Sequence, residues 1–193
     1  MLHTQPMAPT APPTHPAAML EALLSKAQAQ LALYRSEPNR MLSDFNRERE
    51  LIGEYNGRQL LEMLQNADDQ GSKRVLIEWD ETARRLAISN EGAPFSVQGF
   101  ESLLLSNLST KTGGGYIGNK GLGFRSIVNW ASEIAISSGG LCATFAERIV
   151  HAEFARMFTP DQQAELRARR SLASHAVPMA FLSVPELRTI APG

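Results

Sequence analysis

Two residues with metal and acid–base chemistry, Glu62 and Asn66, are spaced four apart in a segment predicted to be a helix, Gly57–Gln70. At that spacing both side chains lie on one face, one turn apart. A carboxylate can orient and deprotonate a water, and an amide oxygen can ligate a magnesium ion that keeps several waters. Asp69, a further turn along, can hold waters near such a metal. The same pattern is also typical of a solvated helix face, so the pair alone is weak evidence.

A second polar tract, Ser89-Asn90-Glu91-Gly92-Ala93-Pro94-Phe95, directly follows a predicted strand. Asn90 places a short polar side chain at the end of that strand, and Gly92 allows a ligand to approach the backbone closely. Asn and Gly are also common in plain turns, and that alternative stays open.

A third tract, Gly118-Asn119-Lys120-Gly121-Leu122-Gly123-Phe124-Arg125, enters a helix predicted from about Phe124 to Ala131. Backbone N–H groups at a helix start point outward at the positive end of the helix dipole and can cradle a phosphate. Gly113 to Gly118 formally matches GxGxxG, but no strand runs into it, and the Walker pattern GxxxxGK[ST] is absent. The alternative is a flexible linker, against which the apolar Leu122 and Phe124 argue.

Taken in order, these tracts resemble the GHKL ATPase superfamily, which includes DNA gyrase B, the ninety-kilodalton heat-shock chaperones, MutL and the sensor histidine kinases. The likeness is greatest to the sacsin and NO VEIN type of ATP-binding domain. It covers residues from about 40 to 150, and more loosely 18–40 and 150–184. The segments that carry it are Leu61–Asp69, Asn90–Phe95 and Ile117–Ser126.

The resemblance implies a role for each matched residue. Glu62 stands at the water-activating carboxylate, Asn66 at the magnesium-binding asparagine, and Asp69 at an acidic residue near the nucleotide. Asn90 stands where most members have an aspartate that accepts a hydrogen bond from the adenine amino group, and an amide oxygen accepts more weakly. The other nucleotide contacts implied are Gly92, Lys111 in an ATP lid from about Ser106 to Tyr116, Lys120, and the glycines Gly118, Gly121 and Gly123.

The resemblance also implies a fold and an activity. The fold is an α/β (α+β) two-layer sandwich of the Bergerat type, with a mixed, mostly antiparallel sheet and helices on one face. The activity is slow Mg²⁺-dependent ATP hydrolysis coupled to lid closure in a larger chaperone-like or regulatory protein. The partner it suggests is a second copy or a C-terminal effector domain. The alternative is a non-hydrolysing nucleotide-binding switch or scaffold. Asp69 disfavours a histidine kinase, because those enzymes tend to have a basic residue there.

Hydrophobic periodicity, proline and glycine predict the elements that position these residues. The predicted helices are Ala18–Arg35, 39–51 and Gly57–Gln70, followed by a helical region over 147–172. Pro38 ends the first helix, and Leu60, Leu61, Leu64 and Ala67 share one side of the third. In the last region Thr159 is an N-cap before Pro160. The predicted strands are Arg74–Trp79 and Arg84–Ser89, joined by a turn at 80–83, and a last strand over Val177–Val184. In the resembled family the fold ends with a strand that carries a threonine near the phosphates, and no segment of this sequence matches that strand. Trp79 and Trp130 are predicted to be core aromatics.

The composition of the chain limits its possible binding partners, disulfides and location. The chain has 193 residues, 43% of them hydrophobic, and a formal net charge of −1, so no bulk electrostatic case exists for nucleic acid or an anionic membrane. One cysteine excludes an internal disulfide framework. The sequence has no apolar run of 18 residues, and its first residues lack the basic and apolar stretches typical of a secretory signal, so we expect a cytoplasmic location. The expected organisation is a disordered proline-rich leader over 1–17, N-terminal helices over 18–51, and an ATP-binding domain over 52–193 that is incomplete at its C-terminus.

Overall fold

The computed structural model describes residues 15–54, 57–104 and 127–191 of the chain. Within these ranges helices and antiparallel strands combine into an α+β architecture. The elements are α1 (Pro16–Ser36), α2 (Pro38–Glu54), α3 (Gln59–Asp69), β1 (Val75–Asp80), β2 (Arg85–Asn90), α4 (Val97–Leu104), β3 (Glu133–Ser138), β4 (Leu141–Ala146), α5 (Glu147–Met157), α6 (Pro160–Ala168) and β5 (Glu186–Thr189). Short 3-10 turns occur at 127–129 and at Phe181–Ser183.

A proline separates the first two helices, as the sequence predicts. Pro38 is the first residue of α2, where the N–H that proline lacks has no helical acceptor to lose. The corner is closed by the fully buried Tyr34, whose hydroxyl donates a hydrogen bond of 2.9 Å to Oδ2 of Asp44. Nε of Arg40 lies 3.5 Å from the other oxygen of that carboxylate. These contacts fix the angle between α1 and α2.

Strands β3, β4 and β5 form an antiparallel sheet with β4 in the centre. Gly139 and Gly140 join β3 to β4 and have φ values of +58° and +82°. Positive φ at both positions of a two-residue turn defines the type I′ hairpin, which matches the twist of the flanking strands. On the other side of β4, Leu187 of β5 pairs with Ala143.

One face of this sheet packs against helices α1 and α4. Helix α4 was not predicted, and its buried residues Val97, Phe100 and Leu103 recur at intervals of three. Ser96 caps it, because its hydroxyl accepts a hydrogen bond of 3.1 Å from the N–H of Gly99. The buried side chains of this first core are Met19, Leu23, Val97, Phe100, Ile127, Ile134, Leu141, Ala143, Phe145 and Leu182.

A second core forms where α1 and α2 meet α5 and α6. Its buried members are Tyr34, Met41, Leu42, Val150, Phe154, Met157, Phe158, Leu166, Met179 and Val184. The predicted N-cap at Thr159 is confirmed: its hydroxyl accepts from the N–H of Gln162 at 3.4 Å, and the Gln162 side chain accepts from the N–H of Thr159 at 3.0 Å. This reciprocal capping box sets the start of α6.

The prediction of a strand over Val177–Val184 is wrong. The segment is buried but irregular, and it ends in the 3-10 turn at Phe181–Ser183. The carboxylate of the buried Glu48 accepts the N–H groups of Phe181 at 2.5 Å and Leu182 at 3.1 Å. Because those donors are used by α2, they are not available to a sheet ladder. The last strand is instead β5, which the sequence analysis did not predict.

The first two strands form a hairpin of their own. Val75 pairs with Asn90 and Asp80 with Arg85, as predicted to within one residue at each end. Within the described ranges this hairpin is separate from the three-stranded sheet, so the strands form two antiparallel sheets and not one mixed sheet. The prediction that Trp79 and Trp130 are core residues is wrong, because they are 63% and 49% exposed. The hairpin is exposed along most of its length and gives Trp79 no core to enter.

Candidate functional site

Helix α3 is held to the molecule by a row of residues that differs from the predicted one. Gln59 and Ala67 are buried, and Met63 between them packs against the first core. These three residues lie at intervals of four and so occupy one face. The leucines predicted to share the packed side with Ala67 are exposed instead, at 38% for Leu60, 53% for Leu61 and 36% for Leu64. The helix is therefore rotated relative to the sequence prediction.

This rotation places Glu62 and Asn66 beside the buried row. Both are half-buried, whereas the outward-facing Leu61 is exposed. Neither Glu62 nor Asn66 has a side-chain hydrogen bond or ion pair with another residue of the described ranges. Successive turns of a helix are about 5.4 Å apart, so the carboxylate and the amide are spaced for one small ligand or hydrated ion. Asp69 follows on the same side of the helix and is exposed.

The second predicted tract lies against the end of this helix. A Cβ built on Gly92 would be 3.3 Å from the carbonyl oxygen of Gln70 and 3.4 Å from its Cβ. Gln70 directly follows Asp69 and caps the C-terminus of α3. Asn90, at the end of β2, donates its amide N–H to the carbonyl oxygen of Glu91 at 3.3 Å, which leaves its side-chain oxygen free to accept. The structure therefore brings the Asn90–Gly92 turn to the Asp69 end of α3.

A salt bridge that the sequence analysis missed fixes this contact. Arg74, just before β1, binds Glu91 through both Nε and Nη2, with a distance of 2.8 Å from Nε to Oε1. The N–H of Glu91 also donates to the carbonyl oxygen of Arg74 at 3.3 Å. The pair closes the base of the hairpin and holds the Asn90–Gly92 turn beside Arg74, four residues after Gln70. The sequence signal for this salt bridge is the pair of opposite charges at the paired strand ends, Arg74 before β1 and Glu91 after β2.

The remaining predicted nucleotide contacts lie outside the described residues. These are Lys111, Gly118, Lys120, Gly121 and Gly123, together with the predicted lid from about Ser106 to Tyr116. Of the helix predicted over Phe124–Ala131, residues 127–131 are described. They form a 3-10 turn at 127–129, closed by a hydrogen bond of 2.8 Å from the N–H of Trp130 to the carbonyl oxygen of Ile127, and Ala131 is not helical. The prediction is wrong for that end.

The donor set on α3 suits magnesium better than a protein-enclosed metal. Within residues 15–54, 57–104 and 127–191, no three His, Cys, Asp or Glu side chains are grouped to hold a metal ion. Magnesium commonly takes one or two protein oxygen ligands and completes its shell with waters and substrate phosphates. An amide oxygen at Asn66 with a carboxylate one turn away fits that pattern.

Two hollows of the described residues lie away from these side chains. The first, of about 380 Å³, lies between α1 and α5, where Leu24, Leu31 and Ile149 contribute to its walls. The second lies along the start of α1, around Leu20 and Leu24. Neither is lined by a predicted site residue. The candidate site therefore rests on the contact between α3 and the Asn90–Gly92 turn and on the chemistry of its side chains.

The arginines near the end of α6 have structural partners. Arg167 lies over the ring of Phe154, 5.3 Å from its centroid, and donates to the carbonyl oxygen of Ala176 at 2.8 Å. Arg169 donates to Oδ1 of Asn39 at 3.0 Å and ties α6 to α2. Arg167 and Arg169 therefore stabilise packing of the second core.

No family model matches the chain, and neither a curated protein nor a solved structure matches it significantly. Among the described helices, none combines the length and the apolar character needed to cross a bilayer.

Proposed function

We propose that the chain is an ATP-binding domain of the GHKL type with a Bergerat-like site, and that it hydrolyses ATP slowly with magnesium. The observation that carries the proposal is the contact of Gly92 with Gln70 at the end of α3. Two tracts that are 21 or more residues apart, each with weak chemical signal alone, are adjacent in the fold. Half-buried Glu62 and Asn66 on the same helix supply the carboxylate and the amide that such a site requires.

Each side chain has a role in this proposal. Glu62 orients a water and accepts its proton as that water attacks the γ-phosphate of ATP. Asn66 contributes an amide oxygen to a magnesium ion, which when bound neutralises charge on the phosphates. The side-chain oxygen of Asn90 accepts a hydrogen bond from the adenine amino group, and Gly92 lets the turn approach Gln70 closely enough to keep Asn90 beside α3. Asp69 holds waters between the helix and the base.

The phosphate contacts in this proposal come from the glycine-rich tract. Backbone N–H groups of Gly118, Gly121 and Gly123 and the cations Lys111 and Lys120 stabilise the charge that develops on the transferred group. In this proposal ATP hydrolysis is coupled to a conformational change in a larger cytoplasmic protein that is chaperone-like or regulatory. The change acts on a second copy or on an effector domain.

A second candidate function is nucleotide binding without hydrolysis. Asn90 favours it, because a neutral amide oxygen accepts a hydrogen bond from adenine more weakly than the usual aspartate. A site that holds nucleotide loosely can respond to nucleotide concentration and act as a switch on a partner.

Steady-state phosphate release with magnesium and ATP separates the two functions. Glu62→Gln removes the general base and keeps the size of the side chain, so we expect release to fall about 100-fold while nucleotide binding persists. Glu81→Gln, in the exposed turn of the first hairpin, is the matched control and should leave release unchanged. Binding without release by the wild-type chain supports the switch. A folded chain that neither binds nor hydrolyses ATP contradicts both functions.

A further inference from the structure

We propose that the β1–β2 hairpin is a self-association surface, through which strand β1 pairs antiparallel with β1 of a second copy. The inference is independent of nucleotide binding. It starts from the side-chain pattern: Val75, Ile77 and Trp79 alternate along β1 and share one face with their partners Ile88 and Leu86 on β2. Ile77, Trp79 and Leu86 are 45%, 63% and 40% exposed. A contiguous apolar sheet face is thus open to solvent.

The edge of the same hairpin is suited to pairing. Within the described ranges β1 pairs only with β2, so its other edge carries backbone groups without a strand partner. An isolated two-stranded sheet is marginally stable in water, and a third strand adds both hydrogen bonds and apolar contact. The sequence Val-Leu-Ile-Glu-Trp-Asp contains neither the proline nor the lysine with which edge strands commonly block pairing.

The register centred on Ile77 satisfies the apolar face and the charges along the whole strand. If Ile77 lies opposite Ile77 of the second copy, Val75 lies opposite Trp79 of that copy, and the two apolar faces become continuous. The same register sets Arg74 of each copy opposite Asp80 of the other, which gives an ion pair at both ends. The Arg74 side chain is 81% exposed, and its contact with Glu91 through Nε and Nη2 leaves Nη1 for Asp80 of the other copy. A register centred on Glu78 would oppose two carboxylates, and one centred on Leu76 would set the apolar Trp79 opposite Lys73.

A covalent test follows from this register. Directly opposed residues of antiparallel strands have Cα atoms about 4.5–5.5 Å apart, within the range of a disulfide. The native Cys142 is buried and is the only cysteine, so Ile77→Cys introduces one accessible thiol. Under mild oxidation by oxygen, two thiols lose their protons and two electrons to form one S–S bond. We expect a disulfide-linked dimer at concentrations where Leu76→Cys, which lies diagonal to its counterpart, forms no disulfide link.

Association of the full chain without a cross-link is measured by sedimentation equilibrium over a range of concentrations. We expect a monomer–dimer equilibrium that Ile77→Lys weakens at least about tenfold, because two ammonium groups would be opposed. Leu76→Lys is the matched control: it adds the same charge one residue away, opposite Glu78 of the second copy, and should keep or strengthen the dimer. Asp80→Asn keeps the side-chain oxygen that accepts the N–H of Ala83 at 2.9 Å, and should weaken the dimer several-fold.

Two results overturn the proposal. One is a wild-type chain that stays monomeric at every accessible concentration. The other is a dimer that Ile77→Lys leaves unchanged while Ile77→Cys fails to cross-link, because such a dimer uses a different surface. All of the substituted side chains are exposed, so the variants should retain the far-ultraviolet circular dichroism spectrum of the wild type.

Discussion

Gly92 lies against Gln70: a side chain at position 92 would place its Cβ 3.3 Å from the Gln70 carbonyl oxygen. This contact joins the turn after β2 to the C-terminus of α3. It is the point at which the residues Asn90 and Asp69, remote in sequence, come to one region of the surface. The spacing leaves room for a backbone but not for a methyl group without a shift of a few tenths of an ångström.

Gly92→Ala is therefore expected to displace the turn from α3 and to weaken nucleotide binding by about three- to tenfold. The free energy of unfolding should change little, because the turn is exposed. Calorimetric titration with an ATP analogue measures the first effect and urea denaturation the second.

Gly53→Ala is the control for this substitution. A Cβ built on Gly53 meets nothing within 4 Å, and the residue lies inside helix α2, where alanine is the better helix former. Binding should match that of the wild type, and stability should rise slightly. Equal binding by the Gly92 and Gly53 variants would show that the contact with Gln70 does not shape the site.

Glu48→Gln is expected to destabilise the fold by about 2 kcal/mol. The carboxylate accepts two backbone N–H groups, from Phe181 and Leu182, and it is buried. An amide of the same size keeps one acceptor oxygen but turns an NH₂ group toward the other N–H. Urea denaturation measures the loss. The exposed Glu50, which pairs with Arg47 on the surface of α2 at 3.2 Å, is the control, and Glu50→Gln should cost less than about 0.5 kcal/mol.

We expect the free energy of unfolding to depend on pH through Tyr34, which lies at the corner between α1 and α2. Burial, and then the neighbouring carboxylate of Asp44, raise the pKa of the Tyr34 phenol. Below the ordinary tyrosine pKa of about 10 both the folded and the unfolded chain keep the proton. Above it the unfolded chain releases the proton while the folded chain retains it, so the free energy of unfolding falls as the pH rises.

Tyr34→Phe tests this linkage. At neutral pH the variant should be about 1 kcal/mol less stable, because it loses the hydrogen bond to Asp44. Between about pH 9 and pH 11 that difference should shrink, since phenylalanine does not titrate. Denaturant titrations of both proteins across this range provide the measurement. A difference that is constant with pH contradicts the assigned state of Tyr34.

Local signals predicted much of the secondary structure. Pro38 and Thr159 mark helix starts because their effects act within one turn, and the first hairpin follows from alternation across a short turn. Gly139-Gly140 between two apolar runs is also a hairpin signal of this kind. Helix α4 was not predicted because it has only eight residues, and its four apolar side chains span too few turns to give a clear helical pattern.

Contacts between residues far apart in the sequence explain two wrong predictions of structure, the strand over Val177–Val184 and the packed face of α3. The run over Val177–Val184 is apolar enough for a strand, but its donors are used by Glu48, which is 133 residues before Phe181. The leucines of α3 have helical periodicity, yet Gln59, Met63 and Ala67 form the packed row because the first core lies on that side. Hydrophobic periodicity shows which face of a helix is apolar, but it does not show which face packs against the rest of the protein.

For the candidate site, the sequence predicted Glu62, Asn66, Asn90 and Gly92, and the structure brings Gly92 against Gln70 at the end of α3. Glu62 and Asn66 share a side of α3 because of their spacing alone. That Asn90 and Gly92 lie at the end of this helix depends on the contact of Gly92 with Gln70, which no local pattern specifies. The hairpin register and the opposite charges of Arg74 and Glu91 are local signals.

The central claim is that Asn66 of α3 forms part of a magnesium–nucleotide site. Calorimetric titration of the full chain with magnesium and a non-hydrolysable ATP analogue tests it directly, with Asn66→Ala as the variant and Gln65→Ala, its exposed neighbour, as the control. The account predicts saturable binding of one nucleotide per chain that Gln65→Ala keeps and Asn66→Ala loses. Absence of binding by a folded wild-type chain, or equal binding by both variants, would contradict it.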